Sequence, residues 1–232
     1  MPDAPKRKKT KRARKTASIG HENRYYRAGV HRIIGLDEAG RGPIAGPVVA
    51  GAVALPLSAD NSKLQRRLTG VKDSKKMTKL QREAAEETIK DVAITWGIGQ
   101  ASPDEITKLN IRRATQLAMQ RAFADALERN PGFEPQWIFV DYEPLPAIDI
   151  NQLSMPRADE YSLSVACASV IAKLWRDAYM TQMAEEYPHY GFESNNGYGS
   201  SAHLAAIEEH GPCALHRITF RPVADALKKR HS

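Results

Sequence analysis

Four carboxylates stand where short apolar runs end or small-residue runs begin, and acids so placed can do metal-assisted chemistry. His31 to Leu36 runs directly into Asp37 and Glu38, Trp137 to Val140 runs into Asp141, and Asp159 lies just before a run of small residues. In α/β sheets strand ends are where sites form, because the backbone is rigid there while the side chains face a crevice. Carboxylates brought together repel one another unless a cation holds them, and an all-oxygen donor set selects a hard ion, Mg2+ or Mn2+. Such a site points to phosphate chemistry, in which two ions about 3.5–4 Å apart activate water and stabilise the leaving oxygen. Taken singly, each acid is an ordinary turn former. Their joint pattern carries the expectation. Neighbouring strand residues face opposite sides, so Asp37 and Glu38 can share one site only if the ladder breaks beside them, a break expected from Gly40 and Gly42.

Other motifs are weaker. Gly40, Gly42 and Gly46 miss the dinucleotide fingerprint by one residue, and no Walker A pattern is present. Small residues here would instead let backbone amides approach a sugar or phosphate, with Arg41 adding charge. The loop around Ser74, Lys75 and Lys76 could hold a phosphate or be a solvated turn. His210, Cys213 and His216 resemble half of a zinc site, but no second pair is near and Gly211-Pro212 interrupts the ligands, so zinc is not expected. His189 and His203 read as surface or packing residues. No Ser-His-Asp or Cys-His signature supports acyl chemistry.

The elements that must position these residues follow from periodicity and punctuation. Residues 31–36 form a strand feeding a glycine-rich turn, and Pro47 to Leu55 form a second strand, antiparallel to the first. A polar loop over 72–77 precedes a helix from Thr78 to Lys90, and a third strand lies within 91–101. Ser102-Pro103-Asp104-Glu105 is a capping box with proline at the first helical position. From it one helix is expected to run to Asn130-Pro131-Gly132, packing Ile106, Leu109, Leu117, Ala124 and Leu127 on the sheet. A buried strand over 137–141 follows, then a long helix from Leu163 to Tyr187 whose small early residues permit close approach to a neighbour. After an aromatic, Gly- and Asn-rich loop come short helices over 203–210 and 222–229. The fold class is α/β: a mixed sheet flanked by helices, with a small, mostly helical C-terminal region.

Composition bounds the function classes. The 232 residues are 42% hydrophobic and 26% charged, ordinary for one globular core. Two cysteines cannot staple the chain and fit a reducing cytosol. No apolar run approaches the roughly 20 residues of a membrane span, and no signal peptide is visible. The formal charge is +7, yet residues 1–30 hold ten Lys and Arg against Asp3 and Glu22, a net +8, so the rest is near neutral. Residues 1–29 are therefore expected to be a disordered basic arm that meets a polyanion. A solubilising tail or a nuclear-import signal stays open.

Taken together, these segments resemble ribonuclease HII, the type 2 ribonuclease H of bacteria. The resemblance rests on Gly35 to Val53 with its Asp-Glu-Ala-Gly-Arg-Gly core, Asp73-Ser-Lys-Lys76, Asp141, Ala166 to Lys173 with Arg176-Asp177, and Tyr187 to Val223 with Gly197-Tyr-Gly199 and His216-Arg217. It spans about residues 31–225. It implies a ribonuclease H-like catalytic domain over 30–185 and a substrate-contacting C-terminal region over 186–232. The implied activity is an endonuclease, using Mg2+ or Mn2+, that cuts the RNA strand of RNA–DNA hybrids. It also implies cleavage 5′ of single ribonucleotides in duplex DNA, leaving 3′-hydroxyl and 5′-phosphate. By match of position Asp37, Glu38 and Asp141 are the implied metal ligands, with Asp159 as a fourth acid. Gly40, Arg41 and Gly42 match the segment that recognises the ribose 2′-hydroxyl, the one feature distinguishing RNA from DNA at a given position. Tyr198 matches the tyrosine that stacks on the following deoxyribose. A cytoplasmic monomer acting on nucleic acid, with no membrane role, is the corresponding expectation. Tyr142-Glu143 after Asp141 and Asn195-Asn196 before Gly197 depart from the family's usual, more basic pattern, for which the basic arm is expected to compensate. A DNA-cutting nuclease of the same superfamily would cleave all-DNA duplexes. A non-catalytic nucleic-acid-binding module would tolerate Asp37→Asn.

Overall fold

Glycine and alanine set the layer spacing of this protein. A computed structural model describes residues 17–141 and 143–230. In chain order it contains α1 (Gly20–Arg27), β1 (Ile33–Ala39), β2 (Val48–Ala54), α2 (Ser62–Arg67), α3 (Lys79–Val92), β3 (Thr95–Ala101), α4 (Pro103–Leu109) and α5 (Ile111–Arg129). There follow β4 (Trp137–Asp141), β5 (Asn151–Met155), α6 (Ala158–Tyr161), α7 (Leu163–Glu186), α8 (Phe192–Asn195), α9 (Ser201–His210) and α10 (Arg221–Arg230). Among the described residues the strands form one sheet ordered β3-β2-β1-β4-β5. β1, β2 and β3 pair antiparallel, and β4 and β5 continue parallel to β1. Among the same residues no helix is long and apolar enough to cross a membrane.

Strand alternation divides the sheet into two buried faces. Ile34, Leu36, Ala50, Ala52, Ile138 and Val140 pack on one face against Ala114, Ala118, Ala122 and Ala126 of α5. On the other, Val53 packs against Leu163, Ala166, Cys167 and Val170 of α7. Both helices sit nearly on the sheet backbone because glycines leave room. A Cβ at Gly99 would lie 2.6 Å from Arg121 Cβ on α5, and one at Gly51 would lie 2.8 Å from Ile171 Cγ1 on α7.

Two expectations need correction. The single helix expected from Ser102 is two helices. Its capping box forms as expected, but Asn110 takes a left-handed φ of 67°, ends α4, and caps α5 by accepting from the Arg113 amide. That break resets the helical phase, so Ala124 is exposed and the buried stripe runs through the alanines instead. Of the basic arm expected over 1–29, residues 1–16 lie outside the described part, whereas residues 17–29 are folded onto the domain. The Ala17 amide bonds the Val71 carbonyl at 2.7 Å, and α1 packs Tyr25 edge-on to Trp137 and Phe139. Glu22, fully buried, accepts at Oε1 from the Ser162 hydroxyl and from the Ser164 hydroxyl and amide. An acid with these donors at the start of α7 is favoured by the helix dipole.

A Cβ at Gly35 would press on the Ser164 carbonyl carbon and lie 2.5 Å from Val165 N, both backbone atoms of α7. Gly35→Ala should therefore cost about 2–3 kcal/mol in urea unfolding. Gly132→Ala, whose Cβ would meet only Asn130 Oδ1 at 3.7 Å, should stay within about 0.5 kcal/mol. Equal effects would contradict the close-approach account.

Candidate active site

The carboxylates meet where two neighbouring strands part. β1 pairs with β4 from Ile33↔Trp137 to Leu36↔Val140, and the pairing stops there, leaving Asp37 beside Asp141. Toward β2 the ladder continues to Ala39↔Val49. The expected break is thus real but lies on the β4 side, and Gly40 and Gly42 come after the strand.

Alternation sends Asp37 toward α7, where Ser169 hydrogen-bonds it, and Glu38 toward α5, where it shares a small pocket with Arg41, Arg112, Thr115 and Asp141. Asp37 is only 6% exposed. Its Oδ1 accepts the Glu38 amide at 2.7 Å, while Ser169 is in turn bonded to Ser74 at 2.9 Å. Asp141 Oδ1 accepts the Ala158 amide at 2.8 Å, which ties α6, and so Asp159, to the end of β4.

These acids oppose one another's ionisation. Burial first, then the charges of Glu38, Asp141 and Asp159, hold Asp37 well above the usual carboxylate range. Burial and Asp141 raise Glu38 against the lowering influence of Arg41 and Lys75. Asp159 is pushed up to about 6 by burial, then by Asp73, Asp141 and Glu160. An oxygen-only set whose members repel fits a hard divalent ion, which would relieve both burial and repulsion. Among the described residues no three acid, His or Cys side chains are already closed into ligating geometry.

In front of the acids lies a cleft of about 620 Å³ that gathers most of the residues singled out from sequence: Glu38, Gly40, Arg41, Gly42, Ser74, Lys75, Asp141 and Tyr198. Asp37 and Asp159 are not on its wall. Ser74 is buried and bonded to Ser169, so its hydroxyl supports the Asp37 side of the site. Arg82, Arg157 and Lys173 also line the cleft and were not assigned to the site from sequence, where nothing separates Arg82 and Arg157 from surface cations and Lys173 enters only as the end of the Ala166 to Lys173 segment. Arg82 holds the Ser74 turn through the carbonyls of Ser74 and Met77. Arg112, at 2.6 Å from Glu143, brings a positive charge to the segment after Asp141 that sequence alone read as depleted.

Two further residues missing from the sequence-derived site organise it. Arg217, 0% exposed, donates to the carbonyls of Gly46, Arg41, Pro43 and Gly40 at 2.9, 3.1, 2.7 and 2.6 Å. Arg176, 1% exposed, donates to Pro47, Asn196 and Ala45 at 3.0, 3.0 and 3.1 Å. The Gly40–Pro47 loop is thereby wrapped around two guanidiniums. Gly40 has φ +92° and a Cβ there would lie 2.5 Å from Arg176 Cδ, so both conformation and space require glycine. Gly197 accepts the amides of Ile44 and Ala45, and Tyr198 sits beside Gly42.

A mixed sheet whose adjacent inner strands end in acids before a cation-lined cleft suits metal-assisted hydrolysis of a phosphate-bearing substrate. The model of the ribonuclease HII family matches residues 34–223. The chain is 46% identical over 207 residues to ribonuclease HII of Syntrophotalea carbinolica, covering 89% of this chain and 93% of that one. It is 42% identical over 208 residues to ribonuclease HII of Synechococcus sp. strain JA-3-3Ab, covering 90% of each. Among solved structures, ribonuclease H2 from Pyrococcus horikoshii superposes with TM-score 0.71 at 24% identity, over 87% of this chain and 99% of that one. A Bst ribonuclease HIII solved in complex with Mn2+ superposes with TM-score 0.66 at 20% identity, over 85% and 70%. At these identities the structural likenesses speak to fold. The chain belongs to the ribonuclease HII family, and it is an endoribonuclease acting on RNA–DNA hybrids.

The repulsion yields a test of sign. Asp159 titrates near 6 when folded against 3.8 in its ordinary state. Its contribution to stability is therefore present below about pH 4 and lost as pH rises through 6. In chelator at pH 8, Asp159→Asn should raise urea-unfolding stability by about 1–2 kcal/mol, discounted for partial exposure, and the gain should shrink toward pH 4. A loss of stability at pH 8 would contradict it.

Proposed function

We propose that this chain recognises the RNA–DNA junction and cuts on the 5′ side of a ribonucleotide, including a single ribonucleotide embedded in duplex DNA, leaving 3′-hydroxyl and 5′-phosphate ends. Asp37, Glu38 and Asp141 would hold Mg2+ or Mn2+, with Asp159 as the fourth acid. When bound there, the ion supplies charge stabilisation on phosphate oxygens and a nucleophilic water near neutral pH. The chain's own residues do the positioning. Cleavage of embedded ribonucleotides in the cytoplasm, by a monomer, is the corresponding biological reading. Residues 1–16, rich in Lys and Arg, would add phosphate contacts.

The observation that carries this reading is the orientation of the Gly40–Gly42 loop. Its peptides are trans, and in a trans peptide the N–H points opposite to the C=O. The carbonyls of Gly40 and Arg41 are turned inward to Arg217. The amides of Arg41 and Gly42 are therefore directed away from Arg217, on a loop that lines the cleft. Rigid donors so placed suit a single hydroxyl oxygen. Tyr198, beside Gly42 and 48% exposed, offers a ring face to the next sugar, where a 2′-hydroxyl would crowd it. Arg41, Lys75, Arg157 and Lys173 surround the same cleft and suit the phosphates.

A labelled duplex with one ribonucleotide should be cut only at its 5′ side, with Mg2+ or Mn2+ and not with EDTA, while the all-DNA duplex stays intact. Asp37→Asn should reduce the rate on the order of a thousandfold or more. Cleavage of both duplexes would favour a DNA nuclease, and full activity of the variant would remove Asp37 from the chemistry.

A further inference from the structure

Behind Tyr198 the C-terminal region encloses two imidazoles in contact. His203, in the first turn of α9, is 0% exposed and His216 is 3% exposed, with their Nε2 atoms 3.0 Å apart. The partners on either side fix where the protons lie. His203 Nδ1 is 2.8 Å from the Tyr198 carbonyl oxygen, which can only accept, so this nitrogen carries hydrogen. A neutral His203 then has a bare Nε2, and the proton between the rings belongs to His216 Nε2. That leaves His216 Nδ1 as an acceptor, where the Cys213 amide donates at 2.9 Å. From the Cys213 amide through the two rings to Tyr198 each donor meets an acceptor; Cys213 Sγ, 3.2 Å from His216 Nδ1, can donate to the same nitrogen, while the Cys213 carbonyl oxygen stands farther off at 3.3 Å. A second proton on either ring would set two N–H groups against each other. Burial among aromatic rings, Tyr190 edge-on to His216 and Phe192 edge-on to His203, works in the same direction. It lowers His203 and takes His216 down to about 4.

The pair lies at a junction in the chain. Tyr198 is held on its N-terminal side by the Asn195 carbonyl and by Gly197, whose φ of +77° and closeness to the Ala45 carbonyl carbon, 3.1 Å from its would-be Cβ, leave no room for a side chain. On its carbonyl side the partners are the Ser200 amide and His203. His216 is followed directly by Arg217, which holds the Gly40–Gly42 loop. Consecutive residues thus anchor the loop and, through His203, the tyrosine.

We propose that His203 and His216 form a neutral imidazole relay that positions Tyr198 relative to the Gly40–Gly42 loop, making them specificity-determining positioning residues outside the hydrolytic site. The inference rests on the reading of Tyr198 given above, and its test separates the two. The quantity to read is the ratio of kcat/KM for a duplex with one embedded ribonucleotide to that for a hybrid with a uniform RNA strand. Tyr198→Ala should lower that ratio roughly tenfold. His203→Leu should lower it about three- to tenfold through the embedded-ribonucleotide substrate, leave the uniform hybrid within about twofold, and add nothing in the Tyr198→Ala background. His203→Asn, which keeps a donor toward the Tyr198 carbonyl, should restore most of the ratio. An unchanged ratio in Tyr198→Ala would overturn the reading of Tyr198 itself. A normal ratio in His203→Leu, or an effect that adds fully in the double variant, would overturn the relay alone. Independently of whether variants fold, 15N imidazole shifts of the unmodified protein should show both rings neutral at pH 7, His203 as the Nδ1–H tautomer and His216 as the Nε2–H tautomer. An Nε2–H tautomer at His203 would overturn it as well.

Discussion

Two positive charges buried with peptide carbonyls as their partners hold the Gly40–Pro47 loop together. Removing a guanidinium from water is costly unless its donors are met, and for Arg176 and Arg217 seven carbonyl contacts meet them. The cost still shows: burial and the nearby charge of Arg176 bring Arg217 down to about 9, low for an arginine yet protonated at neutral pH. What this arrangement secures is the shape of a loop that has no regular structure of its own. A glycine-rich turn loses much entropy on ordering, and inward-facing carbonyls need donors that water cannot supply there. Planar guanidinium groups with five donors each suit that task better than an ammonium would.

The strand-end cluster is organised by an opposite tension. Its acids raise one another's proton affinity, so without a counter-charge the site works against the fold. The sheet absorbs this because its stability comes from elsewhere, from close packing of α5 and α7 on two glycine-lowered faces. The chain thus separates what stabilises it from what acts. Strand ends carry the unfavourable charges, and the central strands, buried on both faces, carry the core.

Much of this was legible in the residues. The apolar runs before Asp37 and Asp141 mark β1 and β4, and the Ser102 capping box marks the start of α4 to the residue. The Asp-Glu-Ala-Gly-Arg-Gly segment pointed to the family. Other features were hidden for physical reasons. α1 is a polar segment whose anchor is a buried acid, the reverse of an amphipathic signal. Asn110 breaks a helix through a positive φ of 67° with an extended ψ of 162°, a conformation that side chains other than glycine's rarely adopt and that no pattern announces. β5, at the sheet edge, has no β-branched residue to betray it. The arginines were hardest, since arginine is ordinarily exposed. Their only trace was their place in the segments that carried the resemblance, Arg176-Asp177 and His216-Arg217, which assigned them no role in the site.

Selectivity for RNA over DNA requires that this cleft read one ribose hydroxyl. The most direct measurement is binding by the Asp37→Asn variant of two duplexes of identical sequence, one with a single ribonucleotide and one with deoxyribose throughout, at fixed salt. The geometry predicts tighter binding of the ribonucleotide duplex by roughly tenfold, the worth of a good hydrogen-bonded contact of about 1–2 kcal/mol, and loss of that preference when Gly42 is replaced by valine. Equal affinity for the two duplexes would contradict it.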